Sequence, residues 1–146
     1  MNWKQHIGIG TAAGIIILFM FRNLLDVKLW TIGIIVSVIY SVLPDIDHQN
    51  SKLTWTLLTI FTYANVLLLV FKKELIHYSV IGQFVSLLFM KTPHRGITHS
   101  LLCNAVFSIG LFMLVNSWVI TLAGFISYWS HMIADGIPLK LYGNIR

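Results

Sequence analysis

Charge is what this sequence has least of. Only 10% of its 146 residues are Asp, Glu, Lys or Arg, against roughly a quarter in an ordinary soluble domain. A single cysteine, Cys103, excludes an internal disulfide and any cysteine-built zinc site; in its apolar run it is expected to fill core or face lipid. There is no Gly-rich phosphate loop of the Walker type, and no Ser-His-Asp order stands out. No polar segment carries a basic patch with interleaved aromatics, so nucleic acid is not an expected partner. The stretch FMFRNLLD, after the first apolar run, offers no small-residue cleavage site. The first segment is therefore expected to stay as a helix rather than leave as a signal peptide.

What is present is apolar. Hydrophobic residues make up 57% of the chain and the mean hydropathy is +0.80, which fits a surface facing lipid rather than water. The expected fold is all-α, a polytopic membrane helix bundle of about five to six transmembrane helices in one domain, residues 1–146, with the lipid bilayer as its surroundings. The net charge of +5 is carried by lysines and arginines at the ends of apolar runs, where headgroup anchors belong. The five tryptophans, at 3, 30, 55, 118 and 129, are expected in an interfacial belt or in packing.

Apolar segments run over 7–21, 29–43, 53–71, 75–90, 100–115 and 118–134. Several are shorter than the roughly 20 residues that a hydrocarbon core of about 30 Å requires, so some polar ends must sink below the surface or line a cavity. At residues 116–118, NSW, the pattern allows either two helices or one bent helix. Counting six crossings puts the breaks at 1–6, 44–52, 91–99 and 135–146 on one side. That side receives five of the six histidines and three of the five acids. His77, Asp26 and Glu74 fall outside this group, the two acids as ordinary loop charges.

Ionisable side chains at a membrane are costly and are candidates for function. In SVLPDIDHQN, Pro44 breaks a helix, and Asp45, Asp47 and His48 follow; a solvated turn would also use such residues. In KTPHRGITHSLL, Gly96 allows a turn between His94 and His99, and Arg95 offers a planar fork for phosphate or carboxylate oxygens. Interfacial anchoring would account for Lys91 and Arg95 but hardly for both histidines. In YWSHMIADGIP, His131 and Asp135 are four apart and share a helix face, so they can bind one ion or Asp135 can orient His131. His6, at the start of the first segment, is either a further ligand or an interfacial polar residue. A mixed His/carboxylate set suits a divalent ion, with zinc expected and Mn or Fe as alternatives, in one or two copies; two ions can clamp the attacking and leaving oxygens of a displacement.

LPDIDH, HRGITHS and SHMIADG, in that order and preceded by an early histidine, resemble the LexA-regulated membrane-bound metal-dependent hydrolases, the YdjM-like proteins. The resemblance spans His6 to the last helix. It implies a multi-helix inner-membrane protein with Asp45, Asp47, His48, His94, His99, His131, Asp135 and His6 as metal candidates and Arg95 as the oxyanion partner. The H-x-x-x-D spacing is more distantly similar to zinc phospholipase C and P1-type nucleases, which points to phosphoesters. Family members continue past the last motif with a polar, proline-bearing stretch, whereas this sequence stops at Arg146. The expected function is hydrolysis of a phosphoester, lipid or lipid-linked, by metal-activated water, with Asp47 as general base if it is not a ligand. The alternative is a divalent-metal or proton transporter using the same cluster. A metal-free histidine phosphatase fits poorly, because its K-x₆-R-P run is missing. The counts of Lys and Arg favour a cytoplasmic face for the site.

Overall fold

The computed structural model describes residues 3–47, 52–71, 76–77, 80, 83–84, 87 and 97–137. Five helices are complete within them: α1 (Trp3–Met20), α2 (Val27–Val42), α3 (Lys52–Phe71), α4 (Leu101–Val115) and α5 (Trp118–Ala134). Short 3₁₀ turns cover Arg22–Leu24, Leu43–Asp47 and Ile97–His99. The described residues contain no strand, and those of the segment expected at 75–90, including His77, are helical. The chain is all-α, as expected. One helical stretch, Val27–Ile46 with 20 residues, is long and apolar enough to cross a bilayer by itself; α1, α4 and α5 are apolar but shorter.

Local chemistry sets the helix ends. Asp26 caps α2 by accepting the Leu29 N–H at 2.7 Å, which stabilises the first turn. It is thus more than a loop charge. At the other end Pro44 has no N–H to continue the α ladder, and the chain tightens into the Leu43–Asp47 turn. Ser100 caps α4: its Oγ accepts the Cys103 N–H at 3.2 Å and donates to the Ile97 carbonyl at 2.5 Å. The break at 116–117 separates two helices. Asn116 sits in the left-handed region (φ 51°, ψ 38°) and its N–H closes onto the Phe112 carbonyl at 2.8 Å, a conformation that asparagine tolerates better than most residues.

Helices α1, α2 and α5 pack against one another, α4 lies on α5, and α3 meets the Leu43–Asp47 turn. Small residues let the first three approach. A Cβ built on Gly10 would stand 2.2 Å from the Ser41 Cβ, and one on Gly14 would stand 2.2 Å from Ser37 Oγ and 2.4 Å from Ser127 Oγ. These serines donate back to their own helices, Ser37 to the Gly33 carbonyl, Ser41 to Val38 and Ser127 to Ala123, so no donor is stranded in the seam. Above the glycines the core is apolar: Leu18, Val119 and Ala123 in one cluster, with Val36, Tyr40, Leu111, Ile120, Tyr128 and Met132 in another.

Polarity is inverted relative to a water-soluble bundle. Ser37, Ser41, Asn104, Ser127, His99 and His131 are fully buried, while Ile16, Phe19, Met20, Ile35, Val106, Ile109, Met113 and Leu114 are exposed. An outer surface of this kind is stable in hydrocarbon, where lipid covers it and polar groups must be satisfied inside. Cys103 is buried and fills core. Of the tryptophans, Trp118 is half exposed and meets Phe21 edge-on, whereas Trp30 and Trp129 pack against the core.

Candidate metal centre

Four chain segments end at the same pole of the bundle. The first turn of α1 brings His6, the 3₁₀ turn after α2 brings Asp45, and the turn before α4 brings His99. The last turn of α5 brings His131, with Asp135 at its C-cap. One donor atom from each of Asp45, His99, His131 and Asp135 falls within a 4.8 Å cluster.

The separations within this quartet are diagnostic. His131 Nε2 lies 3.4 Å from Asp45 Oδ1 and 3.6 Å from Asp135 Oδ2. His99 Nε2 lies 3.3 Å from Asp135 Oδ2 and 3.8 Å from Asp45 Oδ1. Most of these exceed a good N–H···O bond of roughly 2.9 Å. Two donors bound ~2.1 Å from one tetrahedral ion, by contrast, lie roughly 3.4 Å apart. The four His–Asp separations are thus compatible with ligands around one ion.

Protonation points the same way. His131 Nδ1 lies 2.7 Å from the Ser41 carbonyl. A carbonyl only accepts, so Nδ1 carries the proton and Nε2 is the ring atom turned to the centre, where it would serve as a ligand in the neutral ring. That Nε2 is buried and makes no hydrogen bond. With both imidazoles as neutral ligands, the two carboxylates would carry a charge of about −2, which a divalent cation would neutralise. The residues fit such an ion.

His6 stands beside the quartet. Its residue is 3% exposed, its ring stacks on that of His131 with centroids 4.0 Å apart, and its Nε2 lies 3.4 Å from Asp135 Oδ1. Of the residues expected at the site, the structure brings together Asp45, His99, His131, Asp135 and His6. The backbone of Asp47 closes the 3₁₀ turn; its side chain, and the whole of His48, His94 and Arg95, lie outside the described residues. Ser100 is committed to capping α4, in line with its exclusion as a nucleophile.

Three supporting groups were not singled out from the sequence. The Ser41 carbonyl orients His131. The Tyr128 hydroxyl donates to the Thr98 carbonyl and so ties the turn carrying His99 to α5. Thr98 Oγ1 is 3.4 Å from His99 Nδ1. A signal existed for one of them: Tyr128 precedes His131 by three residues, a helical spacing of a shared face.

Comparison with curated proteins and with solved structures returns no match to this chain. The sequence profile of one family does match, over residues 1–143, in agreement with the resemblance carried by the three motifs. With nearly the whole length matched and Asp45, His99, His131 and Asp135 of those motifs gathered at one pole, the chain belongs to the YdjM inner membrane protein family.

Proposed function

We propose that this protein is a multi-pass inner-membrane, metal-dependent hydrolase acting on a phosphoester of a lipid or lipid-linked substrate. The observation that carries the reading is the buried quartet Asp45, His99, His131 and Asp135, with its 3.3–3.8 Å donor spacings. These four residues would hold a divalent ion, zinc first and Mn or Fe as alternatives. When bound, such an ion lowers the pKa of a coordinated water towards about 7 and polarises a phosphoryl oxygen. Ser41 and Tyr128 keep the two imidazoles in place by their backbone-level hydrogen bonds. Arg95, directly ahead of Gly96 in HRGITHS, would meet the anionic oxygens of the substrate. Asp47, two residues beyond Asp45, would accept the proton of the attacking water.

The lipid assignment rests on place. The centre is at one pole of a bundle with an apolar exterior, where a headgroup phosphate would meet it. Transport is the weaker reading. Beyond the site, the buried polar residues among those described are Ser37, Asn104, Ser108 and Ser127, with no further histidine or carboxylate, so no second cluster of charged ligands continues the path. The orientation expected from Lys and Arg places the site on the cytoplasmic face.

The test has two parts. Elemental analysis of purified protein should find bound divalent metal that is lost in Asp45→Asn and in His99→Ala; full metal content in either variant removes the site assignment. A panel of detergent-solubilised phospholipids should then yield phosphate or a headgroup phosphate with the metal-loaded protein. Metal uptake into sealed liposomes without hydrolysis would favour transport instead.

A further inference from the structure

His6 is not a member of the quartet, yet it is buried against it and engages the same carboxylate. Asp135 is used from both oxygens: Oδ2 faces His99 and His131 at 3.3 and 3.6 Å, and Oδ1 faces His6 at 3.4 Å. The rings of His6 and His131 are nearly parallel, 23° apart, with centroids separated by 4.0 Å. Each presents its Nε2 to a different oxygen of one carboxylate. Rings stacked at this spacing could each serve a different ion of a pair, since two-metal sites hold their ions roughly 3.5–4 Å apart.

We infer that Asp135 is a bridging carboxylate and that His6 is the ligand of a second divalent-cation subsite adjoining the quartet. The inference rests on the metal-centre reading above and deepens it. The first ion takes His99, His131, Asp45 and Asp135 Oδ2. The second takes His6 Nε2 and Asp135 Oδ1, the donors that the described residues provide for it. With fewer protein ligands, the second subsite binds more weakly. It also leaves the pair with a net positive charge, which suits an anionic phosphoester. His6 is thereby a functional residue supplied by α1, which carries none of the quartet.

Manganese is the probe, since free and bound Mn(II) differ in their electron paramagnetic resonance. Titration of the full chain in detergent should saturate at two ions, one tight and one weaker, with an exchange-coupled spectrum at saturation. His6→Gln should saturate at one ion, keep the tight site within about threefold, and lose the coupled signal. Saturation of the unaltered chain at one ion, or two ions retained in His6→Gln, overturns the inference while leaving the quartet intact. No binding at all by the unaltered chain overturns the metal-centre reading with it. If His6→Gln binds nothing, the spectrum of the unaltered chain decides: two uncoupled ions reject a bridging Asp135, and a coupled pair supports it.

Discussion

The residues around the candidate centre fall into those that could hold an ion and those that hold the would-be ligands in place. His131 is fixed by a backbone carbonyl, which no substitution at Ser41 removes. His99 depends instead on a side chain, because Tyr128 ties the Thr98 carbonyl to α5. Replacing Tyr128 by Phe leaves that buried carbonyl without its donor, a loss of about 1–3 kcal/mol. It also frees the turn that aims His99. Outer partners of metal ligands commonly contribute 10–100-fold in affinity. Tyr128→Phe is therefore expected to raise the metal dissociation constant roughly tenfold, measured by competition with a chromophoric chelator. An unchanged constant would show that the turn is held by other means. At this scale the sequence was most informative about donors, since His and Asp announce themselves in an apolar chain. It was least informative about hydrogen bonds that join α2 to α5 across 90 positions, because backbone carbonyls have no letter of their own.

Among the elements, α1 has the most demanding fit. It enters the groove between α2 and α5 with Gly10 and Gly14 against Ser41, Ser37 and Ser127, and one turn before Gly10 it delivers His6. Gly14→Ala would force a methyl to within 2.2 Å of Ser37 Oγ, so the helices must separate. Overpacking of this kind costs about 1–3 kcal/mol, and a lower unfolding temperature in detergent is expected. Gly8→Ala serves as control, since a Cβ there meets nothing within 4 Å and its stability should be unchanged or slightly higher. Equal effects of the two substitutions would remove the tight seam from the account. The glycines four apart in GTAAG are a known form of close helix contact in lipid, but spacing alone names no partner. The Ser-rich faces of α2 and α5 become the partner only in three dimensions. The end of α4 teaches the converse. NSW was legible as a break, and the left-handed Asn116 resolves it into a turn between two helices.

On the scale of the whole molecule, alternation is what makes one pole functional. The start of α1, the end of α2, the start of α4 and the end of α5 meet there. Assembly of the cluster requires helices that run back and forth, with the turn at Arg22–Leu24 at the opposite pole; in the proposed multi-pass arrangement these are membrane crossings. In a Cys103→Ala background, Lys4→Cys and Asn23→Cys should be labelled by a membrane-impermeant thiol reagent from opposite faces of oriented vesicles. Both positions belong to exposed residues. Labelling of both from one face would refute the crossing of α1, and with it the multi-pass reading.

The sequence by itself determined the class of the molecule and the kind of chemistry open to it. An apolar chain with few charges must bury its backbone polar groups in helices, and counting crossings already sent His6, Asp45, His99, His131 and Asp135 to one side. What only the tertiary structure decided is which of them come close enough to hold an ion together: Asp45, His99, His131 and Asp135. Sidedness is one-dimensional information, a parity of crossings, whereas coordination depends on separations of a few ångströms. Those separations come from how closely α1, α2 and α5 pack, and that is set by glycines and serines whose partners lie far along the chain.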